Sequence, residues 1–256
     1  MGDLYDYSLS SLFLIGLAVT LIATEAGRRL GRIVGDRGGD NVGTLEGAVL
    51  GMLALMIGFT FAMALARFDS RRDAVLNEAN AIGTTALRAR MLPQPHNVEV
   101  LKLLREYVKV RLDITQNVAS RAELTAAIDR SNELQEALWR QAMSISAKDN
   151  AMVPAGLFIQ TLNEMIDNQG KRLTAVRNHV PDVVILMLFG VAGVACGFSG
   201  YASGLDKRRS VIPTYIMSLL ISAVILLILD LDRPGVGFIG VSQQPLIDTA
   251  ASIAGY

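Results

Sequence analysis

The sequence predicts an all-α integral membrane protein, with four transmembrane helices and a helical extramembrane domain inserted between the second and the third. Four uncharged apolar runs are long enough to cross a bilayer. The polar stretch between the second and third runs has helical periodicity, and no segment of useful length in it alternates as a strand does. Hydrophobic residues make up 51% of the 256 residues and the mean hydropathy is +0.38, as expected for a chain partly buried in lipid.

Each pair of apolar runs predicts a transmembrane hairpin, and the four spans cover about residues 7–24, 47–66, 183–205 and 210–229. The chain therefore divides into a first hairpin at 1–67, a helical domain at 68–179, a second hairpin at 180–233 and a C-terminal tail at 234–256. Glu25 is predicted to open an irregular loop after the first span, because several glycines follow it. The third span contains two GxxxG pairs, Gly193–Gly197 and Gly200–Gly204, which predict close helix packing.

The second span is predicted to continue beyond the membrane as a stalk. It is uncharged from Gly47 to Ala66 and turns polar at Arg67, yet no proline occurs until Pro93. One helix of roughly 44 residues, ending at Arg90, would reach about 66 Å, whereas a bilayer core takes up about 30 Å.

One face of this helix changes from a methionine and phenylalanine seam to a polar seam. Its members follow at three- and four-residue steps and are Met52, Met56, Phe59, Met63, Ala66, Ser70, Asp73, Asn77, Asn80 and Thr84. Two interpretations remain open: ordinary helix packing with a solvated continuation, or a hydrophobic constriction that opens into a polar vestibule, as in a channel that gates by dewetting. A neighbouring line of small residues would let a second helix approach, and it comprises Gly47, Gly51, Ala54, Gly58 and Ala62.

Charged residues collect where the second and fourth spans leave the membrane. This charge collar consists of Arg67, Asp69, Arg71, Arg72, Asp230, Asp232 and Arg233. The arginines either reach lipid headgroups beside local acids or, in an assembly of several copies, form a ring at a pore mouth that favours anions. Because both groups lie at one membrane boundary, an ion pair from Asp230 or Asp232 to Arg71 or Arg72 is also predicted. Glu78 and Asn80 could cap a helix, bind across a subunit interface or face an ion path, and a purely structural role, with their polar groups satisfied by neighbouring residues, is favoured.

Composition and motifs argue against several classes of protein. A formal net charge of zero lacks the basic field of a nucleic-acid binder. Cys196, His96 and His179 have no metal-ligand spacing, so neither a metal nor a cofactor is expected. There is no GxSxG, HExxH, Walker A or GxGxxG motif in a suitable setting, which makes an enzyme the least favoured class. Basic residues near the membrane are equally numerous on its two sides, so they do not choose an orientation.

Several segments resemble one known family, the bestrophin-like bacterial membrane proteins. They are TEAGRRLGR after the first span, TLEGAVLGMLALMIGFTFAMALARFDSRRDAVLNEANAIGTTALRARMLP, LLREYVKVRLD, and LDLDRPGVGFIGVSQQPL near the end. The resemblance covers essentially the whole chain. True bestrophins, which are more distantly similar, are pentameric anion channels with four membrane helices per subunit, the second of which lines a hydrophobic neck.

The resemblance implies a homo-oligomer in the lipid bilayer, a pentamer if it assembles as true bestrophins do, that is permeable to chloride or other anions, with the second span around its axis. It also implies a multi-pass protein of the bacterial inner membrane, with the helical domain and both termini in the cytoplasm. The chain lacks a recognisable acidic calcium clasp. The alternative function is a non-conducting membrane scaffold or sensor whose helical domain binds a protein or a small ligand.

Overall fold

The computed structural model describes residues 7–35, 41–116, 121–147, 153–206, 210–234 and 237–256. These residues form eight helices: α1 Leu9–Val34, α2 Val42–Ala89, α3 His96–Gln116, α4 Arg121–Ser146, α5 Val153–Arg177, α6 Asp182–Leu205, α7 Ile212–Asp232 and α8 Gln244–Ala254. No strand occurs within those ranges. Four helical stretches are long and apolar enough to cross a membrane, namely Leu9–Val34, Val42–Ala89, Val153–Leu205 (which covers α5 and α6) and Ile212–Asp232. The prediction of an all-α protein with four membrane-spanning helices is confirmed at this level.

The chain forms two compact units. The first unit comprises residues 1–68 and 179–240, and therefore contains α1, the first part of α2, α6 and α7. The second unit comprises residues 69–178 and 241–256, and contains the rest of α2 with α3, α4, α5 and α8.

In the first unit, α1 and α6 pack backbone against backbone. A Cβ atom added at Gly200 would overlap the carbonyl of Thr24, and one at Gly204 would overlap the carbonyl of Arg28. Gly27 and Gly31 of α1 face the backbone of α6 in the same way. The close packing predicted from the GxxxG pairs is thus present, because small residues let two helix backbones approach where lipid offers no hydrophobic drive.

Paired hydroxyl groups join α1 to α7. Thr20 Oγ1 lies 3.0 Å from Ser222 Oγ, and Thr24 Oγ1 lies 2.8 Å from Ser218 Oγ, and all four side chains are buried. Such interhelical hydrogen bonds stabilise membrane helix pairs by about 0.6 kcal/mol each.

The sequence prediction that a loop opens at Glu25 was wrong, because α1 continues to Val34. Arg28 and Arg29 donate to the Glu25 carboxylate from the next turn, at 2.7 and 2.8 Å, and pairs at these spacings stabilise a helix. Gly27 and Gly31 lie in this continued part of α1 and contact the backbone of α6.

The second unit has a core of its own, to which α3, α4, α5 and α8 contribute. Leu104 of α3, Leu138 of α4 and Leu162 of α5 are fully buried in it. The tail ends in α8, whose Leu246 and Ile253 join the same core. Prolines 93 and 95 separate α2 from α3, as their missing amide protons require.

Candidate functional site: the exposed face of the second helix

The membrane part of α2 is the least covered of the four apolar stretches. Only 17% of its most apolar window is buried, against 28–39% in the other three. Leu53, Thr60 and Ala64 lie on its buried side. On the predicted seam, the side chains of Met52 and Phe59 are 49% and 64% exposed. Met56 and Met63 are half-buried and pack against the core of the first unit. Among the described residues of the chain, much of the membrane part of α2 therefore has no protein neighbour.

The line of small residues on α2 is also open. A Cβ atom added at Gly47, Gly51 or Gly58 would meet nothing within 4 Å, and Ala54 and Ala62 are exposed. This differs from α1 and α6, where the corresponding small residues touch a neighbouring backbone. The small residues of α2 form a surface on which a helix from outside this chain could pack closely.

The polar members of the seam are exposed in the second unit. They are Ser70, Asp73, Asn77, Asn80 and Thr84. The buried side of the same helix segment carries Val75, Ala79, Ile82 and Ala86, which belong to the core. The segment is amphipathic, so its polar side faces water or a partner.

The residues of the charge collar differ in burial. Asp69 and Arg72 are exposed and Arg67 is half-buried, whereas the remaining four are buried, namely Arg71, Asp230, Asp232 and Arg233. In the first unit, Asp230 accepts hydrogen bonds from the backbone amides of Phe238 and Ile239 at 2.9 and 3.1 Å. Asp232 accepts one from Val180 at 2.8 Å. The predicted ion pair from these acids to Arg71 or Arg72 would join the two units and stays a prediction.

Opposite the polar seam, Glu78 is fully buried in the second unit and carries two ion pairs. Arg111 Nε of α3 donates to Glu78 Oε1 at 2.6 Å. Arg172 Nη1 of α5 donates to Glu78 Oε2 at 2.6 Å. The two arginines are 1% and 6% exposed. One carboxylate on α2 thus holds cations from two other helices at short, charge-assisted distances.

Neutral side chains extend this buried network. Tyr107 Oη donates to Gln169 Oε1 at 3.1 Å and lies 3.4 Å from Glu78 Oε1. Gln135 of α4 donates to Tyr107 Oη and to Gln169 Oε1. Arg172 Nη2 donates to Gln243 Oε1 at 2.9 Å, next to the start of α8. Burial, and then the negative charge of Glu78, raise the pKa of the Tyr107 phenol, so this group stays a neutral donor.

The network carries an excess of positive charge, because two guanidinium groups face one carboxylate. Arg111 Nη1 is buried and has no hydrogen-bond partner within the described ranges. Removal of the Glu78 charge would leave two buried cations unpaired, which is costly in a region of low dielectric constant.

Sequence reasoning singled out Glu78 and favoured a structural role for it, but it did not identify its partners Arg111 and Arg172 or the neighbouring Tyr107 and Gln169. A usable signal was present: Tyr107 and Arg111 follow Leu104 and Val108 by one helical turn on the apolar face of α3. Polar residues in such positions are buried and need partners. In the part of the chain that the structure describes, no group of three or more histidine, cysteine, aspartate or glutamate residues could hold a metal ion.

The geometry defines an all-helical membrane protein with an uncovered second helix, and comparisons with known proteins identify its family. The model of the Bestrophin-like domain matches residues 12–246, and the chain belongs to this family. This confirms the resemblance drawn from the sequence segments. No match is found among curated proteins.

Solved structures agree in fold. The crystal structure of a bacterial bestrophin homolog from Klebsiella pneumoniae is similar with a TM-score of 0.66 at 16% identity, covering 96% of each chain. A variant of that protein with a tryptophan-to-alanine substitution has a TM-score of 0.68 at 16% identity and the same coverage. At this identity the likeness shows a shared fold over nearly the whole chain.

Proposed function

We propose that this protein is a homo-oligomeric membrane channel, permeable to anions, in which α2 of each copy borders a common axis. The observation that carries the proposal is the open face of α2. An apolar seam, on which Met52 and Phe59 are exposed, continues on the same helix as a polar seam whose members are all exposed in the part of the chain that the structure describes. Family membership supports it, since bestrophins are the channels that the sequence resembles.

Small residues support assembly around this helix. The open line of Gly47, Gly51 and Gly58 gives a neighbouring copy a surface for close approach, next to the seam rather than on it. A closed ring needs two different surfaces on each copy, and α2 would supply one of them while its seam faces the axis. A pentamer, as in bestrophins, is the stoichiometry that we propose.

We further propose that α3, α4 and α5 form an extramembrane domain inserted between the second and third spans, in the cytoplasm together with both termini. Their charged, solvated outer faces and independent core are those of a domain in water. The membrane would be the bacterial inner membrane.

Anion permeability rests on the arginines of the charge collar. Arg67 and Arg72 lie directly beyond the apolar seam, and rings of arginine at a pore mouth favour anions. Phe59 and Met63 would form the hydrophobic constriction, which would gate the pore by dewetting.

Chloride flux in liposomes that contain the purified full-length chain tests the proposal. Phe59→Ala should raise the flux, because it widens and wets the constriction. Leu220→Ala provides the matched control, because Leu220 is also apolar and 60% exposed but lies on α7. A monomer by light scattering, or a flux that is absent from every variant, would contradict the channel.

One observation favours the alternative function of a ligand-binding sensor. A pocket of about 380 Å³ lies between α4 and α5, lined by Asn132, Gln135, Glu136, Trp139, Asn163 and Ile166. Gln135 also belongs to the Glu78 network, so an occupant of the pocket would touch a side chain linked to α2. An oligomer that conducts no chloride but gains thermal stability with a small polar ligand would favour this function.

A further inference from the structure

The first unit contains a groove between α1 and α7, away from α2. This α1–α7 groove has a volume of about 750 Å³ and is lined by Leu21, Ile22, Glu25, Ala26, Arg29 and Tyr215. Its walls are apolar at Leu21 and Ile22, in the last turn of the apolar run, and charged one turn further at Glu25 and Arg29. With the apolar run of α1 in a bilayer, the groove would cross the level at which hydrocarbon gives way to headgroups.

The charged end of the groove is held in shape by one carboxylate. Glu25 accepts hydrogen bonds from Tyr215 Oη of α7 at 2.6 Å, from Arg28 Nε at 2.7 Å and from Arg29 Nε at 2.8 Å. Arg28 adds a second bond through Nη2 at 2.8 Å. Both oxygens of Glu25 are used, and the groove is preorganised because the carboxylate ties its two helices together.

The charged end of the groove carries an excess of positive charge. Two guanidinium groups face one carboxylate, and the two arginines differ in access: the Arg28 side chain is 18% exposed, whereas that of Arg29 is 74% exposed. Arg29 donates to Glu25 through Nε, which leaves its two terminal nitrogens for a ligand. A guanidinium edge of this kind matches the oxygens of a phosphate group.

We propose that the α1–α7 groove binds an anionic glycerophospholipid. The phosphate lies on Arg29, and one acyl chain runs along Leu21 and Ile22, which is 68% exposed. The small side chain of Ala26 leaves room for the part of the lipid that joins the phosphate to this acyl chain. A zwitterionic lipid fits less well, because Glu25 is already committed to three donors and offers no free carboxylate to the ammonium group of the lipid.

Native mass spectrometry of the full chain in detergent tests the proposal, with phosphatidylglycerol and phosphatidylcholine of the same acyl chains. The wild type should retain phosphatidylglycerol in preference to phosphatidylcholine. Arg29→Gln should reduce that preference about fivefold, the effect of one exposed charge-assisted contact. Arg32→Gln is the matched control, because Arg32 is also exposed on α1 but does not line the groove.

A second variant tests the space of the groove separately from the charge of Arg29. Ala26→Trp fills the groove and keeps Arg29, so it should also bind less phosphatidylglycerol than the wild type. Inorganic phosphate at millimolar concentration should not displace the lipid, because it makes no contact with Leu21 or Ile22. Equal lipid retention by Arg29→Gln and Arg32→Gln, unchanged retention by Ala26→Trp, or displacement by phosphate would each overturn the proposal.

Discussion

Glu78 of α2 and Arg172 of α5 form a buried ion pair, with Arg172 Nη1 2.6 Å from Glu78 Oε2. The glutamate is fully buried and the arginine is 6% exposed. Arg111 of α3 binds the other oxygen of the same carboxylate, so three helices of the second unit meet at one negative charge. In the proposed channel, this network would fix the rotation of α2 about its own axis and hence the direction in which its polar seam points.

Glu78→Gln should destabilise the protein by about 3–5 kcal/mol, because it leaves two buried guanidinium groups without a counter-charge. Thermal unfolding followed by circular dichroism measures the effect. Glu133→Gln is the control: Glu133 pairs with Arg130 at 2.9 Å, but both side chains are more than half exposed, and such pairs contribute little. Equal unfolding temperatures for the two variants would contradict the role given to Glu78.

Tyr107→Phe should lower the stability by about 1 kcal/mol, because Gln169 and Gln135 lose a partner in a buried network. It should also change the dependence on pH. The phenol has a pKa raised above its ordinary value of 10.0, so the stability that it contributes is complete below pH 10 and is lost as pH rises through the higher folded-state pKa. A wild-type unfolding temperature that falls above pH 10 no more steeply than that of Tyr107→Phe would argue against this assignment.

Gly200→Ala should destabilise the first unit by about 1–3 kcal/mol, because its Cβ would overlap the carbonyl of Thr24 and push α1 from α6. Gly190→Ala on the same helix is the control, since a Cβ there meets nothing within 4 Å. The unfolding temperatures of the two variants in mild detergent measure this difference. If Gly190→Ala proves the more harmful substitution, the α1–α6 contact is not as described.

Gly51→Leu should weaken assembly without unfolding the chain. The added side chain has free space within one copy, but it would block a helix from another copy. Light scattering in mild detergent should show a smaller mass than that of the wild type, while the helix content stays the same. An unchanged mass would contradict the role of the small residues of α2 in the proposed interface.

Much of the fold could be predicted because its signals are local. The continuity of α2 follows from the absence of proline between Gly47 and Pro93, and the packing of α6 follows from its glycine spacing. The first loop was placed too early because Gly35, Gly38 and Gly39 were taken to make the whole stretch from Glu25 irregular, whereas α1 continues to Val34 and its charges at Glu25, Arg28 and Arg29 pair along the helix.

The Glu78 network could not be predicted in the same way. Its members come from α2, α3, α4 and α5, and which of their faces meet depends on the packing of the whole unit. Sequence periodicity places Arg172 on the same face as Met165 and Gln169, but it does not say that a glutamate ninety-four positions earlier lies opposite. The seam of α2 could be grouped from the sequence because all its members share one helix and recur at helical spacing.

Accessibility of Phe59→Cys to a charged, water-soluble thiol reagent tests most directly whether the seam of α2 lines an ion path. The only native cysteine, Cys196, is buried, so the introduced thiol is the reactive one. We expect the reagent to change chloride flux through Phe59→Cys in liposomes and to leave the flux through Leu220→Cys unaffected. Flux that persists unchanged in Phe59→Cys after treatment, or an equal response of Leu220→Cys, would contradict it.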